Sequence, residues 1–343
     1  MIWTTPKYSR SQVDSAGQTL ASEEASALDR ANALEVLGNW RTAHSFALNS
    51  MQLTLRKRAA AVCQKPLIAQ RLKRVSSIVA KLRRFPKMNL SRMQDIAGCR
   101  AIVDTVDEVR CLEETYKTSR QKHKLVNEKD YITSPQPSGY RGIHLIYKFE
   151  SAKSADHTGR LIEVQIRSRL QHAWATAVET VGTFVKQSLK ASQGSDDWLR
   201  FFSLAASLFA IREGCPTVPD TPEYSDELQL KTRNLFDGLK ADTVLSAYSR
   251  VIQVFEQKKM NFAYYFLLEL RPAEGRLMIE SFRRTELGIA TKRYLDRERA
   301  QDGNSQTVLV VADSIKALKQ AYPNYFLDTH EFIKALKSAI GRG

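Results

Sequence analysis

The chain has 343 residues, 43% of them hydrophobic, enough for one ample core or two modest ones, and its pattern favours two domains. A formal charge of +15 calls for a polyanionic partner: a nucleotide triphosphate, an RNA or an acidic protein surface. Cys63, Cys99, Cys111 and Cys215 show neither metal-ligand spacing nor a disulfide framework, and no run of about 18 apolar residues occurs, which excludes a disulfide scaffold and a membrane span and makes the cytoplasm the expected compartment.

From Ser22 to about Val62 apolar residues recur at mostly helical spacing, so residues 1–62 are expected to form a helical lead-in, while Met1 to Leu20 lacks the apolar core of a secretion signal. No acid stands between Glu35 and Asp95, yet the segment is crowded with Arg and Lys, among them Arg56, Lys57, Arg58, Arg83 and Arg84. Ordinary surface helices mix signs for pairing one turn apart, so an unmixed stretch is expected to face an anion. The period then changes. Ala101–Val103, Lys124–Val126, Ile143–Phe149 and Leu161–Ile166 read as strands, with a helix from about Val106 to Thr118. Residues 63–215 are therefore expected to be α+β, a mixed sheet flanked by helices. Helices follow from Gln171 and over Trp198–Ile211, and Pro216, Pro219 and Pro222 mark a linker. Residues 216–343 are expected to be a smaller α/β unit: a long helical stretch over Asp226–Lys258, strands near 264–270, 276–282 and 307–312, and helices near 286–299, 314–321 and 329–338.

Several residues carry chemistry. Lys73, Ser77 and Lys81, spaced by four, would share one face of a helix, with Arg71 just off it, and such donors suit a triphosphate; the same spacing fits a solvated face equally well. Asp95 precedes a strand, followed by Gly98 and Arg100. Glu163, Gln165 and Arg167 share one strand face, and two acids in so basic a setting suit a Mg²⁺ ion that rides on nucleotide phosphates. Structural ion pairing is the alternative. The turn-rich loop Thr133–Gly139 is expected to present Tyr140 and Arg141 at the start of a strand.

Taken in order, the run Arg71 to Lys81, Met93-Gln-Asp-Ile-Ala-Gly-Cys-Arg100, Lys129-Asp-Tyr-Ile132, Gly139-Tyr-Arg-Gly-Ile-His-Leu145, Glu163-Val-Gln-Ile-Arg167 and Gln171-His-Ala-Trp174 resembles the synthetase domain of RelA/SpoT-type alarmone synthetases over about residues 40–185. The resemblance implies a nucleotidyltransferase-like sheet, ATP as pyrophosphate donor with Mg²⁺, transfer of pyrophosphate to a ribose 3′-hydroxyl and AMP as the leaving group. It implies that Arg71, Lys73, Ser77, Lys81 and Arg100 hold ATP, that Asp95 and Glu163 hold Mg²⁺, and that Tyr140 stacks on the acceptor base. Lys129, Arg141, His144 and Gln165 fall on the acceptor side, whereas His172 is expected to pack beside Trp174.

Two departures matter. Gln136 stands in Pro135-Gln-Pro-Ser-Gly-Tyr140 where the family usually has a lysine for the acceptor's 5′-phosphates, and no His-Asp dipeptide exists, so the family's metal-dependent hydrolase is not expected. The layout, with Asn39-Trp-Arg-Thr-Ala-His44 and Tyr322-Pro-Asn-Tyr325, also resembles fused toxin and antitoxin proteins of the CapRel type. That resemblance implies pyrophosphorylation of the 3′ CCA end of tRNA, with Arg56, Lys57, Arg58, Arg83 and Arg84 on the tRNA body. It further implies a C-terminal sensing unit that uses Tyr322 and Tyr325 as a brake and answers to a phage protein. An ordinary (p)ppGpp or (p)ppApp synthetase and a non-catalytic nucleotide sensor remain the alternatives.

Overall fold

The computed structural model describes residues 3–342 except 120–121, 152–154, 189–194, 258–262, 301–304 and 313. Helices α1 (Arg10–Ala21), α2 (Ala27–Thr42) and α3 (Ser45–Val62) lead the chain. The first lies within the expected lead-in but ahead of the apolar periodicity read from Ser22. It is set by a capping box, Ser9 accepting from the Gln12 amide while the Gln12 side chain accepts from the Ser9 amide, and by the apolar stripe Val13, Ala16, Leu20.

Next come β1 (Leu67–Leu72), α4 (Val75–Arg84), β2 (Ala97–Val103), α5 (Val106–Thr118), β3 (Lys124–Asp130), β4 (Ile143–Lys148) and β5 (Leu161–Ser168). Strand β1 corrects the expected helical stripe. Arg71 projects from a strand, Lys73 lies in the turn, and only Ser77 and Lys81 share a helix, because β1 is zipped antiparallel to β2 from Leu67↔Ile102 to Leu72↔Ala97. A ladder of that length overrides local helical spacing.

After β5 the chain runs through α6 (Arg169–Ser188), α7 (Ser195–Arg212), α8 (Ser225–Gly238), α9 (Ala241–Val251), β6 (Gln253–Gln257), β7 (Tyr265–Arg271), β8 (Arg276–Phe282), α10 (Leu287–Arg299), β9 (Gln306–Val311), α11 (Ile315–Ala321) and α12 (His330–Ala339). The long helix expected over Asp226–Lys258 is instead two helices and a strand. The break falls at Lys240, whose left-handed backbone (φ 48°) stops one helix and starts the next.

The strands form one mixed sheet in the order β3-β4-β5-β2-β1-β9-β7-β8-β6, with β2–β5 and β6–β8 parallel and the remaining neighbours antiparallel. The fold is α+β, a mixed sheet flanked by helices. Among the described residues its two halves pair in the sheet at Arg71↔Val310. One core lies between the sheet and α3 and α5, around Met51, Leu55, Leu112, Tyr147 and Val164. A second gathers α6 and α7 with α8, α9 and α12, so Phe332 from the chain's end packs beside Phe201, Phe202 and Phe209. Helix α7 thus belongs to both halves, and the linker prolines do not separate two independent cores.

Candidate active site

Strands β1, β2 and β5 lie side by side, and their polar side chains open onto one cavity lined by Gln70, Arg71, Lys73, Asp95, Gly98, Arg100, Glu163, Gln165, Glu179, Tyr322 and Asn324. The parallel register sets Gly98 beside Glu163 and Arg100 beside Gln165. A Cβ on Gly98 would lie at ordinary contact distance, 3.5 Å, from the Glu163 Oε2.

Charges are arranged in two sets. Asp95 is gripped by Lys73 and Lys81, each 2.9 Å from one of its oxygens. Burial favours the neutral acid, but these ammonium groups outweigh it and hold the carboxyl below its usual range. Glu163 behaves alike: burial raises it, and hydrogen bonds from His144 Nδ1 (2.8 Å) and Gln165 Nε2 (2.7 Å) bring it down. The second set is cationic. Arg100 donates to Gln165 Oε1 (3.0 Å), and burial, with Arg167 and Arg71 close by, lowers its guanidinium to about 9. Guanidinium groups crowded on one buried wall leave a strong demand for an anion.

On the other side of Glu163 a chain of hydrogen bonds runs from Arg167 Nη2 to the Tyr140 hydroxyl (2.6 Å), and from there to His144 Nε2 (2.5 Å). The Arg167 guanidinium also covers the Tyr140 ring at 4.8 Å, and Tyr131 and Trp174 meet that ring edge-on. Gly139 precedes it with φ +95°, and a Cβ there would come within 2.7 Å of Ala206 and 2.9 Å of Trp174. Helices α6 and α7 therefore seat the loop so tightly that only glycine fits.

The structure brings Arg71, Lys73, Asp95, Arg100, Glu163 and Gln165 to one cavity and joins Lys81 to it through Asp95. Ser77 lies one turn before Lys81 on the same helix face. Lys129 is exposed opposite His144 in the β3–β4 ladder. Arg141 departs from expectation: it is 3% exposed and paired with Glu213 at 3.0 Å, because the backbone after Tyr140 turns its side chain under the loop toward the end of α7. His172 is buried, and burial near Arg100 and Arg167 keeps its ring neutral. Of the basic set, Arg58 stacks on Tyr116 at 4.2 Å and donates to the Thr115 carbonyl, and Arg83 donates to the Ala21 carbonyl, while Lys57 and Arg84 are exposed. Sequence reasoning gave no role to Glu179 and none to Asn324; neither sits in a local pattern that marks it.

Two carboxylates on one cavity suit a hard cation with oxygen ligands, and Asp95 and Glu163 would hold Mg²⁺ once Lys73 and Lys81 turned from Asp95 to phosphate.

Residues 70–184 match the family model described as the region found in RelA / SpoT proteins. The chain is 35% identical over 113 residues to GTP pyrophosphokinase YjbM of Bacillus subtilis (strain 168), covering 32% of this chain and 52% of the relative. To GTP pyrophosphokinase YwaC of the same organism it is 32% identical over 115 residues, covering 31% and 52%. It thus spans about half the length of these curated relatives. Among solved structures, small alarmone synthetase 1 from Bacillus subtilis bound to its product pppGpp aligns with a TM-score of 0.43 at 24% identity, over 51% of this chain and 91% of that one. No helix among the described residues is long and apolar enough to cross a membrane.

Proposed function

We propose that the protein is a pyrophosphokinase that moves the β,γ-pyrophosphate of ATP to a ribose 3′-hydroxyl. The observation that carries this reading is the single cavity in which Arg71, Lys73 and Arg100 face Asp95 and Glu163, within the region that matches the RelA/SpoT family. Arg71, Lys73, Ser77, Lys81 and Arg100 bind and orient the triphosphate, and Glu163 takes the proton of the attacking hydroxyl. The new bond joins O3′ to the β-phosphorus, the bond from the β-phosphorus to the α-phosphate oxygen breaks, and AMP leaves. Asp95 and Glu163 would hold Mg²⁺, which when bound would supply charge neutralisation on the phosphates. Positioning and neutralised charge are what this transfer chiefly requires.

The acceptor is the 3′ CCA end of tRNA, and its modification stops translation. Gln136 supports this reading: it replaces the lysine expected for a 5′-polyphosphate, and its backbone closes the tight turn Gln136–Tyr140 with no charge of its own. Exposed Lys57 and Arg84 remain available to RNA phosphates. The names of the relatives favour a second reading, a guanosine nucleotide as acceptor.

The C-terminal part is the brake, released by a phage-derived protein. Its support is that the Tyr322 hydroxyl donates to the Gln70 carbonyl and accepts from the Gln70 amide, both at 2.7 Å, filling the edge of β1 beside the cavity. The space left is about 100 Å³, against roughly 300–1,000 Å³ for ordinary ligand sites. Tyr325 is fully buried in the core formed by β7 to β9 and α11 and backs Tyr322 rather than entering the cavity.

The test is to give the intact chain and the Tyr322→Ala variant γ-labelled ATP with tRNA or with GDP. Label on tRNA, stronger in the variant, is expected. Label on GDP alone would move the acceptor to the second reading, and no label with either would leave a nucleotide-binding sensor.

A further inference from the structure

The segment Gln70–Val75 carries Arg71 and Lys73, and the C-terminal half holds it at more points than Tyr322. Arg71 pairs with Val310 in the sheet, and Arg74 Nη1 donates to Gln306 Oε1 (2.5 Å). The Val75 amide, in the first turn of α4, donates to Glu298 Oε1 (2.9 Å). That amide begins the helix bearing Ser77 and Lys81. A helix start attracts anions, and here a carboxylate of α10 already occupies it.

Glu298 is itself held from a third direction. Arg41 of α2, whose side chain is 1% exposed, donates to Glu298 Oε2 at 2.6 Å and to the Tyr294 hydroxyl, which in turn donates to Glu298 Oε1 at 3.0 Å. All of these Arg41 partners lie on α10. A buried ion pair contributes little net stability compared with apolar packing, but removing one partner strands the other, so it marks one docked arrangement sharply against all others.

We propose that Arg41, Tyr294 and Glu298 form a polar lock that keeps the Gln70–Val75 segment in its closed position, independently of Tyr322. The inference rests on the reading of the C-terminal half as a brake. It adds that a trigger must displace α10 from α2 and α4 as well as freeing β1. While the lock is shut, the Glu298 carboxylate also repels phosphates approaching the start of α4.

Two readouts on the full-length chain test it: hydrogen exchange at the Val75 amide, and transfer from γ-labelled ATP. Glu298→Ala should speed Val75 exchange and raise transfer about tenfold with Tyr322 intact. Joined to Tyr322→Ala, it should multiply the gain, as separate locks require. Tyr294→Phe, a smaller change, should act in the same direction, which guards against misfolding of the first variant. The lock is overturned if Glu298→Ala and Tyr294→Phe leave both readouts unchanged while Tyr322→Ala raises transfer, or if the double variant transfers no faster than Tyr322→Ala alone. Faster Val75 exchange without transfer in any variant would instead keep the lock and remove the reading of the chain as a braked enzyme.

Discussion

The two sides of the cavity are closed by different means. On the ATP side, the segment that carries Arg71 and Lys73 is held by atoms of the distant C-terminal half: Tyr322 on Gln70, Gln306 on Arg74, Glu298 on Val75. On the acceptor side, neighbours within the same strands and loop satisfy one another: Arg167 and His144 take up the Tyr140 hydroxyl, and Glu163 takes up His144. The first kind of closure can be undone by moving another part of the chain. The second yields only when a ligand replaces bonds made within a few ångströms, so under the proposed function regulation would act on the ATP side and specificity on the acceptor side.

The largest effect expected from this comparison is at the carboxylates where the sides meet. Asp95→Asn and Glu163→Gln should each lower pyrophosphate transfer by about 10³-fold or more with little change in volume. Matched rates for either variant and the parent at saturating Mg²⁺ would separate that residue from the chemistry.

Next in size is the buried pair under the acceptor loop. Arg141→Met removes the cation beside Glu213 and leaves its carboxylate with only the Ser168 hydroxyl and the Gln171 amide as donors, which should cost about 2–4 kcal/mol of stability in urea unfolding, whereas replacing both partners by apolar residues should cost less. A surface-like loss below about 1 kcal/mol would show the pair to be dispensable and the loop to be held by Gly139 packing alone.

The smallest effect is electrostatic. Asp130 anchors the start of the same loop through Arg110 and the Ile132 and Thr133 amides; burial opposes its charge, but these partners bring its carboxyl down to about 2. A folded value below the unfolded one means stability that is present above the unfolded value and is lost as pH falls toward 2. With the side chain 28% exposed, that contribution should stay below about 1 kcal/mol. Asp130→Asn should flatten the acid limb of stability between about pH 4 and 2; an unchanged limb would assign it to other carboxylates.

What the sequence determined by itself was the chemistry of short segments. The alternation Glu163, Gln165, Arg167 and the glycine before Tyr140 each express a local constraint: a strand face in the first, a close approach and a positive φ in the second. Such constraints depend on residue type and spacing, and the strands that carry them, as well as the helices of residues 264–338, were legible for the same reason. Tertiary structure alone decided the rest. Strand β1 looked helical until β2 zipped against it; Arg141 looked like a site residue until Glu213, 72 positions later, took its charge. Arg41 and Glu298 lie 257 positions apart, and nothing in either neighbourhood announces the other. The physical reason is that pairing across the sheet and burial of charge are settled by groups brought together only on folding, and their free energies outweigh the small propensities readable along the chain.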